Sequence, residues 1–187
     1  MNSANAIEFR SSNRFDSVSI LRGTVVLKDP YGLDSGPVEV FGTVELPAVA
    51  NGADLTLFSV KPAGTLYFSA DNQDYSAIIG PTGTFAGTLR LYRRIRLSPA
   101  FGLLLDGGGV LLYEGLNGFN ARLEGDIALF NELTTNVTFR VGAVGNGGRL
   151  TLTGVVRDQN PGGPAVAIVK REAGGLILTA SNSWSGG

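Results

Sequence analysis

The stretch Thr84-Phe-Ala-Gly-Thr-Leu-Arg-Leu-Tyr-Arg-Arg-Ile-Arg-Leu97, TFAGTLRLYRRIRL, is the longest run of alternating character in the chain. Read as one strand, it places Phe85, Gly87, Leu89, Leu91, Arg93, Ile95 and Leu97 on one face, because successive side chains of a strand point to opposite sides. Thr84, Ala86, Thr88, Arg90, Tyr92, Arg94 and Arg96 fall on the other. Three arginines thus lie where water is expected, and Arg93 lies in the apolar row. Three readings of Arg93 stand side by side. A bulge near Gly87 or Tyr92 slips the register and sends Arg93 to solvent with Arg94. Arg93 pairs with Glu114 inside the protein. Or the guanidinium reaches into a dry cavity and anchors an acidic or enolate-bearing ligand through paired hydrogen bonds.

The same period of two runs through most of the chain. Val38, Val40, Val44 and Leu46 alternate with Glu39 and Glu45. Phe119, Ala121, Leu123, Ile127 and Leu129 alternate with Arg122, Glu124 and Asp126. Val137, Phe139 and Val141 alternate with Thr138 and Arg140. Each pattern describes a sheet that is wet on one side and dry on the other. Strands are expected at 18–28, 38–46, 54–60, 65–70, 75–79, 84–97, 101–105, 110–114, 119–129, 136–144, 149–157, 165–171 and 175–180.

Turn-forming residues punctuate these runs: Asp29-Pro30, Asn51-Gly52, Gly80-Pro81, Asp106-Gly107, Asn117-Gly118, Asn146-Gly147 and Asn160-Pro161. Short hairpin loops favour Asn and Gly because their turns need positive φ. Strands tied by such loops predict an all-β, antiparallel, up-and-down barrel of about eight strands plus extra hairpins, with a β-sandwich as the alternative. Gly42, Gly87, Gly125 and Gly154 fall inside strand runs, where tight barrel bends are expected. The predicted organisation is an N-terminal arm over 1–16, a barrel over 17–181 and a Gly- and Ser-rich tail over 182–187.

Composition narrows the chemistry. The chain has 187 residues, 43% hydrophobic and 17% charged, enough apolar material for a large core. Fifteen basic and sixteen acidic residues give a net charge of -1, which argues against nucleic acid as a partner. No apolar run of bilayer length occurs, so no membrane association is expected. The polar N-terminus lacks a secretory core, and with no cysteine for disulfides the expected location is cytoplasmic. Histidine is absent as well, which removes zinc sites, catalytic triads and imidazole acid–base steps. No metal and no cofactor are expected.

Asp74-Tyr-Ser-Ala-Ile-Ile-Gly-Pro-Thr-Gly-Thr-Phe-Ala-Gly87 resembles the Gly-Gly-Thr-Gly-x-Phe-x-Gly stretch of the allene oxide cyclase and dirigent barrels. The match rests on Gly80, Thr82, Gly83, Phe85 and Gly87; Pro81 replaces the second glycine, and Leu89 stands where a further glycine is usual. In size the chain also looks similar to the barrels that close spirotetronate and decalin rings. The resemblance implies a cavity in which a hydrophobic, polyketide-like substrate folds into reactive shape without a cofactor.

Pericyclic closure of the Diels–Alder type needs no general base, so positioning and one cation or hydrogen-bond donor suffice. Arg93, Tyr67 and Tyr113 are the candidate catalytic residues. Glu114, Phe85, Leu89, Leu91, Phe9 and Trp184 are the candidate substrate-binding residues. The arm carrying Phe9 reads as a lid over the cavity or as a strap between the copies of a homodimer. Two other functions fit the pattern: a structural assembly subunit of a phage or surface β-domain, and a passive lipocalin-like carrier.

Overall fold

The computed structural model describes residues 6–11, 13–30, 33–116, 118–130, 136–142 and 147–186, with Asp34 and Ser35 described by backbone alone. Of the features expected from sequence, residues 1–5 and 12 of the arm, Asn117, 143–144 of the run to Val144, Asn146 and Gly187 lie outside this set. Among the described residues no helix is long and apolar enough to cross a membrane.

The opening stretch is not one strand. Thr84–Phe85, Thr88–Tyr92 and Ile95–Leu97 are three strands on three different sheets. The same circuit repeats: Leu103–Leu105, Val110–Glu114 and Asn120–Leu123 visit the three sheets in the same order, then Ile127–Leu129, Asn136–Val141 and Arg149–Leu152. All the described pairings are parallel, and each strand inside a sheet lies between the strand one turn earlier and the strand one turn later. Thr88 lies beside Val110, Arg96 beside Arg122, and Phe85 beside Leu105. Paired residues are as few as 18 positions apart, as for Ala6 and Thr24, and as many as 31, as for Asn136 and Ala167. The chain is a parallel β-solenoid with three faces, and the antiparallel barrel expected from sequence is incorrect.

The first face has eight strands, from Ala6–Phe9 to Ala167–Arg171. The second has five, from Gln73–Tyr75 to Gly175–Leu178, and the third has seven, from Val18–Ile20 to Val156–Asp158. In the first turns the second face is replaced by the short pair Arg14–Phe15 and Asp34–Ser35. Residues 6–9 of the expected arm are therefore the first rung of the solenoid rather than a lid.

Alternation acts here as it would in a barrel, but the inward side chains stack along the axis. On the first face Val44, Leu66, Leu89, Leu111 and Phe139 form one column and Leu46, Phe68, Leu91, Tyr113 and Val141 another. Tyr75, Leu97, Leu123, Leu152 and Leu178 line the second face, and Val40, Val60, Phe85, Leu105 and Leu129 the third. Phe68 meets both Tyr75 and Phe101 edge-on, with ring centroids 4.9 and 5.4 Å apart. All but the outermost of these residues are shut off from solvent.

The glycines within the runs mark the corners. Gly23, Gly42, Gly64, Gly87 and Gly109 each precede a first-face strand, in a recurring Gly-(Thr/Val)-apolar-x-apolar pattern. From the second of these corners on, the amide of the next residue donates to the glycine of the turn before: Thr43 to the Gly23 carbonyl at 2.8 Å, Thr65 to Gly42 at 2.8 Å, Thr88 to Gly64 at 2.9 Å and Val110 to Gly87 at 2.9 Å. A Cβ on Gly87 would lie 2.4 Å from the Gly64 oxygen, so only glycine permits this approach.

Candidate binding face

Among the described residues the inward side chains are shut off from solvent and pack on one another. Phe85, Leu89 and Leu91, expected to line a ligand cavity, are each 0% exposed and pack against the rungs above and below. Phe9 pairs with Leu27 in the first rung and meets Phe15 edge-on at 6.0 Å. Trp184 packs against the core at the opposite end, next to Ser183, which bridges to Arg157 in the previous turn. Phe9 and Trp184 therefore do not share a site with Leu89.

Tyr113 is also interior. Its ring fills the space left by Gly115, where a Cβ would lie 2.2 Å from the ring, and among the described residues its hydroxyl has no hydrogen-bond partner. Burial, with a smaller contribution from Asp71, pushes the phenol up to about 12. Tyr75 differs: its hydroxyl donates to the Leu46 carbonyl at 2.7 Å. The two tyrosines should respond oppositely to removal of that hydroxyl. Tyr75→Phe leaves a buried carbonyl short of a donor and should cost about 1–2 kcal/mol, whereas Tyr113→Phe removes an unpaired polar atom and should be neutral or stabilising. Urea unfolding of the two variants measures both.

On the outside of the first face, parallel register sets Arg90 beside Tyr67, with the guanidinium stacked 4.2 Å above the phenol ring. Arg90 also pairs with Glu114 at 2.9 Å, and Glu114 is only 10% exposed at its side chain. Burial is the main cause that raises the Tyr67 phenol, with Arg90 acting against it. Tyr67 and Glu114 are thus brought together, but through Arg90 rather than Arg93. The cation and the carboxylate largely satisfy one another.

Arg93 is neither interior nor paired with Glu114. The strand ends at Tyr92, and Arg93 takes φ +22° to turn the corner toward Ile95. That turn breaks the alternation and puts Arg93 and Arg94 outside together. Both reach Asp71, at 3.5 and 3.3 Å, and both stack on Phe119, at 5.7 and 5.0 Å. The hydrogen bond from Arg94 is the main reason the Asp71 carboxyl lies below its ordinary range.

The outside of the second face carries a further network. Arg96 grips Glu124 through two nitrogens at 2.9 Å each and also reaches Asp74 at 2.8 Å, while Arg122 reaches the same Glu124 at 2.8 Å. The Arg96 hydrogen bond is the chief cause that lowers the Glu124 carboxyl from its ordinary 4.5. A carboxyl lowered in the folded state stabilises the fold above about pH 4.5, and that contribution disappears as pH falls through the folded value. Glu124→Gln should therefore flatten the acid side of the stability profile, as read by thermal melts between pH 3 and 6.

Next to this network runs an open groove of about 420 Å³ lined by Gly118, Asn120, Gly147, Gly148, Arg149 and Gly175. Asn120 also borders a second groove of about 270 Å³, which includes Asn72, Gln73, Arg94, Arg96 and Arg122. Asn120, Arg149 and Gly175 lie side by side on three successive rungs. Sequence reading missed this site because Gly118, Gly147 and Gly175 register only as turn residues until the rungs are stacked. The available signal was the shared spacing of Asn120, Arg149 and Gly175 relative to Leu123, Leu152 and Leu178. Comparison of the chain with family models, curated proteins and solved structures gives no match.

Proposed function

We propose that the chain is a scaffold: a rigid β-solenoid segment that spaces or supports other parts of a surface or appendage assembly. The observation that carries this reading is the filled interior, in which Leu89, Leu91, Phe85, Leu105 and Tyr113 are 0% exposed. A cyclase or carrier of the kind suggested by resemblance needs a hollow able to admit an apolar guest, and interiors at close-packed density have no such room. The parallel ladders favour a load-bearing role as well, since each rung is hydrogen-bonded to the next along the axis. With eight strands on the first face, the rod extends about 34 Å at the usual spacing between strands.

Titration with a solvatochromic hydrophobic dye, followed by incubation with a linear polyene and mass spectrometry, tests the reading. No saturable blue shift and full recovery of the polyene are expected. Stoichiometric dye binding, or a cyclised product, would return the chain to the small-molecule class.

A further inference from the structure

The geometry points to the groove around Arg149 as a binding site for an acidic oligosaccharide, a hydroxyl-rich chain with isolated carboxylates. Three observations converge there. The groove of about 420 Å³ is within the range of small-ligand sites, and it shares Asn120 with the neighbouring 270 Å³ groove. Together they cross successive rungs and so suit an extended ligand lying along the axis. The lining at Gly147 and Gly148 has no side chains, so a ligand can approach the backbone closely, while the Arg149 stem lies over Gly175.

The decisive group is Arg149. Arg93, Arg94, Arg96 and Arg122 are all held by Asp71, Asp74 or Glu124. Arg149 is exposed and has no ion-pair partner among the described residues. Gly175 beside it on the next rung carries no side chain to compete for the guanidinium, and the Arg149 stem rests against it, 3.4 Å from where a Cβ would stand. A guanidinium presents paired donors that match a carboxylate. Asn120, with Asn72 and Gln73 further along, offers amides that both donate and accept, as sugar hydroxyls require.

The same census argues against nucleic acid. A polymer with a phosphate at each unit needs many free cations. Here the neighbouring arginines are already neutralised, and Asp74 itself lines the second groove. One free guanidinium among amides suits a ligand of sparse charge.

Isothermal titration of the whole chain with an oligogalacturonate, its methyl ester of equal length and oligo-dT tests the assignment. Arg149→Gln is the companion variant, chosen because an exposed, unpaired side chain can be replaced without loss of fold. The expected result is saturable binding of the oligogalacturonate, weakened about tenfold or more both by methyl esterification and by Arg149→Gln, with an unchanged melting temperature. No saturable binding, equal affinity for acid and ester, equal affinity of variant and parent, or tighter binding of oligo-dT would each overturn it. None of these outcomes bears on whether the interior admits an apolar guest.

Discussion

Replacing Gly125 by alanine should destabilise the protein by about 3 kcal/mol, although alanine normally stiffens the unfolded chain and stabilises. Gly125 turns the corner between the second and third faces. A Cβ there would lie 2.1 Å from the Phe101 carbonyl oxygen and 2.7 Å from the Gly102 amide nitrogen. Both are backbone atoms and neither can rotate away. The next turn repeats the problem, since a Cβ on Gly154 would lie 2.2 Å from the Gly125 oxygen. The corner can open only by separating rungs, which strains bonds such as Leu103 N–H to the Asp126 carbonyl at 2.9 Å. Gly83→Ala is the control, because the nearest atom to its added carbon is 3.9 Å away and its φ is not left-handed. It should change stability by less than about 0.5 kcal/mol. Urea denaturation of both variants gives the comparison, and equal effects would show that the corners are looser than described.

The second large effect concerns the filled interior. Leu89→Ala should cost about 3–4 kcal/mol, the loss expected when a fully buried leucine leaves a cavity that its surroundings cannot close. Leu89 is held between Leu66 and Leu111 in the same column, and both are fixed by their own ladders. In a hollow barrel the same change would merely enlarge an existing space. Leu21→Ala, at a side chain 66% exposed, should be near neutral. Chemical denaturation again reads both, and a loss below about 1 kcal/mol for Leu89→Ala would contradict a solid core.

Much of the local structure was legible in the sequence. Most of the inward set read from alternation, including Val38, Val40, Leu123, Ile127, Phe139 and Val141, is buried, whereas Phe119, read into the same apolar row, lies at the corner under Arg93 and Arg94. The path of the chain was not, because alternation gives the face of a side chain and is silent on the direction of the neighbouring strand. Gly42, Gly87, Gly125 and Gly154 were correctly marked as special positions. They were taken for bends within strands, whereas they end one strand and begin another on the next face. The recurrence of Gly-Thr at 23, 42, 64 and 87 is the signal that separates the two cases. A hairpin meander needs no fixed period, while a solenoid brings the chain back to the same corner on every turn, and here that corner is glycine at 23, 42, 64, 87 and 109.

The candidate site was less legible for the same reason. Arg93 was singled out by alternation across a corner where alternation stops. The groove at Arg149 is formed by residues such as Asn120 and Gly175, 55 positions apart in sequence, which meet only when consecutive turns stack. The Tyr67, Arg90 and Glu114 cluster likewise depends on parallel register.

Two cysteine pairs introduced separately into this cysteine-free chain would test parallel stacking most directly: Thr88 with Val110, and Tyr92 with Glu114. Both pairs are directly adjacent in the solenoid, at a separation a disulfide can span, so both should cross-link on mild oxidation. Antiparallel strands over the same residues can bring at most one of the pairs together, so a cross-link in only one, or in neither, would contradict the fold.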